Sequence, residues 1–146
     1  MARNNKFDLQ RFHFEHNLWL NEVVFVEQEV GIFSHLLAEM QVLLPSDTEG
    51  GRFSETAKSF EHQFRHFVRL VADIKSEVHA QEVVMASAIR EETMHFNEDI
   101  LETQVFLREK MDYFHDNYRK LKSEFRLFVG KDLENHFDTP TQEEKG

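Results

Sequence analysis

From Arg52 to Val129 the chain contains neither glycine nor proline, and it has no cysteine at any position. The turns of a sandwich or barrel consume glycine and proline, so so long an unbroken stretch is nearly incompatible with either. Its apolar residues recur every three or four positions, the period of a helix with one buried face. The chain is therefore expected to be all-α. The stretch is too long for one helix of a compact domain and must fold back on itself at least once.

Turn signals divide the chain further. Asp8 reads as a helix N-cap, with Phe7 and Phe12 as a hydrophobic staple. The first helix should run to Leu44, where Pro45-Ser46-Asp47-Thr48-Glu49-Gly50-Gly51 makes a loop. A second helix starts near Ser54 with the stripe Phe53, Ala57, Phe60, Phe64, Phe67, Val71, Ile74 and Val78. Asn97-Glu98-Asp99 reads as a cap and an acidic first turn, with Phe96 and Leu101 as a second staple, so the middle turn is placed at Arg90 to Phe96. A rival break lies at Ser76 to Glu82, where the apolar stripe lapses. The last helix carries Phe96, Ile100, Thr103, Leu107, Met111, Phe114, Tyr118, Leu121, Phe125 and Phe128, and Gly130 stands where a C′ glycine belongs.

The expected architecture is an elongated up-down-up bundle of three long antiparallel helices; using both breaks would give a four-helix bundle. Residues 1–130 form one domain, and 131–146 form a polar tail containing Pro140, mostly disordered.

Charge narrows the function. A net charge of −10 opposes nucleic-acid binding, which needs a basic footprint, and opposes a basic helix lying on an anionic membrane. No apolar run approaches the length of a membrane span, and no signal peptide is expected, because the basic residues of Met1 to Lys6 have no apolar block behind them. Absence of cysteine removes disulfides, thiolate zinc sites and thiol nucleophiles, and fits a cytoplasmic protein. The 15 phenylalanines fall mostly in register with the helical period and read as core filling. No nucleophile elbow or glycine-rich phosphate loop is present, so nothing marks an enzyme.

The first helix carries two apolar stripes. Trp19, Val23, Val26, Val30, Phe33, Leu37, Met40 and Leu44 make one; Leu18, Phe25, Ile32, Leu36 and Leu43 make the other. Two adjacent seams suit a helix touching two neighbours. Leu20 and Val24 fall on a third side, which two neighbours would not cover. A homodimer burying Leu18, Trp19, Leu20, Val24 and Phe25 is the plain explanation. From Phe12 to Leu44 there is no lysine or arginine, yet Glu15, Glu22, Glu27, Glu29 and Glu39 are present. The last helix, with Arg108, Lys110, Arg119, Lys120, Lys122 and Arg126, is expected to supply the cations.

The leading expectation is thus a non-enzymatic interaction and assembly module that self-associates through its first helix, with room for another protein partner and no cofactor. The alternative is a carboxylate–histidine iron or zinc site. With helix ends aligned, Glu29 lies level with His115 and with the turn containing His66; Asp112 and Glu22 are nearby. His62 and His66 share a face, and Glu92-Thr93-Met94-His95 spells one Glu-x-x-His, but bundle di-iron sites need two. His16 extends the first stripe toward Phe12 and is expected to be a satisfied core or rim histidine. A small-ligand sensor bundle, with an apolar pocket between helices, and a phosphorelay domain using His66 complete the alternatives.

Overall fold

The computed structural model describes the backbone of residues 5–43, 50–90 and 98–145, and the side chains of 8–43, 53–90 and 98–131. It contains α1 (Asn5–Leu43), α2 (Gly50–Arg90) and α3 (Glu98–Lys145), and no strand among the described residues. The protein is an all-α three-helix bundle. The chain divides into two compact units, Met1–Tyr113 and Phe114–Gly146, and α3 contributes to both.

Within the first unit the direction of each helix follows from its contacts. Phe33 meets Phe64 and Glu27 meets Lys75, while His16 meets Glu82, so α1 and α2 run antiparallel. Glu77 pairs with Lys110 and Gln81 bonds Gln104, so α2 and α3 are antiparallel as well. The order is up-down-up, as the sequence predicts.

Burial alternates at spacings of three and four along every helix. On α1 the buried side chains are Leu9, Phe12, His16, Trp19, Val23, Val26, Val30, Leu37 and Met40. On α2 they are Ala57, Phe60, Phe64, Phe67, Val71, Ile74, Val78, Gln81 and Met85. This period of about 3.5 residues keeps one seam facing inward along long helices. The first-unit part of α3 buries Ile100, Gln104, Leu107 and Met111. In the second unit Phe114, Tyr118, Leu121 and Phe125 are buried at the same spacing. At one end of the first unit, Leu9, Phe12, Met85 and Ile100 form a cluster contributed by all three helices, with Ala88 and Leu101 packed against it.

Several boundaries differ from expectation. Helix α1 begins at Asn5, so Asp8 lies in its first turn, where a carboxylate favours the positive end of the helix dipole. Gly50 and Gly51, expected in the loop, open α2. The middle turn is bracketed by the end of α2 at Arg90 and the start of α3 at Glu98; Asn97, Phe96 and residues 44–49 lie outside the described residues. Helix α2 passes unbroken through Ser76 to Glu82, which removes the four-helix alternative. Gly130 does not stop α3, which is helical to Lys145. A helical glycine costs only about 1 kcal/mol relative to alanine, too little to terminate a helix by itself.

Candidate functional site

The lapse in the α2 stripe that resembled a turn is a buried polar layer. Among the described residues, three polar side chains are buried: His16 of α1, Gln81 of α2 and Gln104 of α3. Each holds a seam position on its own helix, and the three meet. Gln104, not Thr103, occupies the inward position, while Thr103 is exposed.

The orientation of the layer is over-determined. Gln81 Nε2 donates to the Ile100 carbonyl at 2.9 Å and to Gln104 Oε1 at 3.3 Å. On its other side Gln104 Nε2 donates to Glu15 Oε1 at 3.1 Å. The Gln104 oxygen therefore faces His16 and its amide group faces Glu15, since a flip would set donor on donor and oxygen on carboxylate. The His16 Nε2, 2.9 Å from Gln104 Oε1, must then carry the hydrogen. The other ring nitrogen, Nδ1, lies 2.7 Å from Glu82 Oε2, and the second oxygen of the same carboxylate lies 2.7 Å from His13 Nδ1. Trp19 covers the His16 ring at a centroid distance of 5.5 Å.

The layer reaches solvent at both edges. His13 is exposed on one side. On the other, Arg108 grips Glu15 with two hydrogen bonds, Nε to Oε2 at 2.8 Å and Nη2 to Oε1 at 2.7 Å. Partial burial would raise the Glu15 carboxyl, but hydrogen bonds from Arg108 and Gln104 and the charges of Arg108 and His16 outweigh it and hold the group below the usual carboxylate value. The same hydrogen bond, against a smaller opposing effect of burial, raises Arg108 above its ordinary value.

Arg108 is thus the cation that α3 lends to the lysine- and arginine-free stretch of α1, as expected. Two other pairs between helices depart from that pattern. Glu27 takes Lys75 of α2 at 2.9 Å, and Lys110 of α3 pairs with Glu77 of α2.

No group of three or more His, Asp or Glu among the described residues is placed to hold a metal ion. The five residues proposed for a metal, Glu22, Glu29, His66, Asp112 and His115, include one from the second unit, His115. A surface depression is lined, among the described residues, by His66, Arg69, Leu70, Ala72 and Asp73 of α2.

The two stripes of α1 have different fates. Trp19 is buried within the chain and is unavailable to a second molecule, whereas the stripe expected to form an adjacent seam is exposed. Leu18 is 67% exposed, Phe25 57% and Ile32 66%, with Phe14, Leu36 and Leu43 on the same side of the helix and also exposed. Val24 is exposed and Leu20 half-buried. No described helix is long and apolar enough to cross a membrane.

Comparison of the chain with protein-family models, with curated proteins and with solved structures gives no match.

Proposed function

We propose that the protein is a non-enzymatic helical-bundle assembly module that forms a homodimer through the outer face of α1. The observation that carries this reading is the exposed apolar row Phe14, Leu18, Phe25, Ile32, Leu36 and Leu43. It extends about 43 Å at 1.5 Å per residue. A monomer rarely exposes so long an apolar row, and its length suits an interface of about 800 Å² per partner. Leu18, Val24 and Phe25 remain the centre of the proposed interface, with Leu20 at its edge, while Trp19 belongs to the bundle interior. The 3.5-residue burial period supports describing the helices as a short antiparallel coiled coil. Lack of cysteine supports a cytoplasmic setting.

Light scattering at micromolar concentration tests the proposal. Wild type is expected at the mass of two chains, and Leu18→Glu/Phe25→Glu at the mass of one with unchanged helical content. A one-chain mass for wild type overturns it.

A further inference from the structure

We infer that the His16–Gln81–Gln104 layer selects which helices can fill the inner seam of α1, reserving that seam for α2 and α3 of the same chain. The inner seam of α1 is otherwise apolar from Leu9 to Met40 and regularly spaced, so by pattern alone a second α1 could zip against it. His16 is the exception. Both of its ring nitrogens are met inside the chain, Nδ1 by the Glu82 carboxylate of α2 and Nε2 by the Gln104 oxygen of α3. A seam of two α1 helices would bury the ring without either partner. Glu15, the nearest acid on α1, is itself gripped by Arg108 and Gln104 of α3.

The same logic sets register. Among the described residues each helix contributes one buried polar side chain in the first unit, and the three fall in a single layer. Sliding any helix by seven residues preserves apolar packing elsewhere but sets an imidazole or amide against hydrocarbon, leaving buried donors and acceptors unmet. One polar position in an apolar seam specifies partner and register at a cost in stability. The α3 features being recognised are Gln104 and, one turn later, Arg108, which closes the layer over Glu15. Association of whole molecules is then left to the outer face of α1; this last clause alone rests on the proposed dimer.

The test uses full-length variants in both the wild-type and the Leu18→Glu/Phe25→Glu backgrounds. His16→Leu/Gln81→Leu/Gln104→Leu is expected to raise the thermal midpoint while losing uniqueness: light scattering after size exclusion resolves several species, and amide NMR peaks broaden or multiply. His16→Leu alone, which takes from Gln104 Oε1 the closer of its two donors and from Glu82 its buried partner, is expected to lower the midpoint. A triple variant that stays a single species of its parent's mass, with equally sharp and dispersed peaks, overturns the inference, as does a rise in midpoint for the single variant. The reading is the change from each parent, so it holds whether or not the surface substitutions alter mass. A parent mass that those surface substitutions do not change counts against the dimer interface only.

Discussion

The buried ring of His16 on α1 lies with Nδ1 2.7 Å from Oε2 of Glu82 on α2, a contact between residues far apart in sequence. Gln104 holds the opposite ring nitrogen, Nε2, through its side-chain oxygen. The pair ties α1 to α2 at the level where Gln104 ties both to α3.

Removing the carboxylate should therefore be costly despite its partial exposure. Glu82→Ala leaves His16 Nδ1 buried without its acceptor, and the expected loss is about 1–3 kcal/mol, the usual range for an orphaned buried polar group. Urea unfolding followed by circular dichroism measures it. A change within experimental error would show that water replaces the carboxylate without cost.

Acid should weaken the first unit through Glu15. Its folded-state carboxyl is held below the ordinary value of 4.5, so its contribution is complete above that value. The contribution fades as pH falls through the lower folded-state value, because protonation then releases Arg108 and Gln104. Arg108→Leu should raise the Glu15 titration midpoint, seen by side-chain carboxyl NMR, and flatten this part of the stability–pH curve. An unmoved midpoint would contradict the pairing.

Core and surface phenylalanines should separate cleanly. Phe64 is buried against Phe60 and Phe33, with ring centroids 6.0 and 6.1 Å away. Phe64→Ala should cost about 3–5 kcal/mol. Phe14 is 65% exposed, and Phe14→Ala should alter the stability of a single chain by about 0.5 kcal/mol or less. Denaturant midpoints at low protein concentration make the comparison without a contribution from association.

Gly31 offers a stabilising change. It sits inside α1, and an added Cβ would meet no atom within 4 Å. Gly31→Ala should gain about 0.5–1 kcal/mol by restricting the unfolded chain and favouring the helix. A lower thermal midpoint would mean that the exposed side of α1 is occupied in solution.

The seams were legible because apolar side chains announce helical phase locally. Spacing alone puts Phe53, Ala57, Phe60, Phe64, Phe67, Val71, Ile74 and Val78 on one face, and all but the half-buried Phe53 are buried. The turn between Arg90 and Glu98 was legible for a similar reason, since an acidic first turn marks a helix start. Gly130 misled because a glycine can sit within a helix at small cost, and the turn signal alone does not say whether the chain uses it.

The polar layer was not legible, because a glutamine at a seam position looks like a gap in the pattern. Gln81 falls within the lapse of the α2 stripe, and Thr103 fits the apolar count on α3 as well as Gln104 does. Only their partners on other helices identify them. By itself the sequence determined helix content, helix phase and the lack of lysine and arginine from Phe12 to Leu44, the first two being consequences of residues three or four apart. Tertiary structure decided that His16 meets Glu82 and Gln104, that Glu15 meets Arg108, and that Trp19 faces inward while Leu18 beside it faces out. Those outcomes depend on the register of helices that local periodicity leaves free, and a few oriented hydrogen bonds between distant residues supply it.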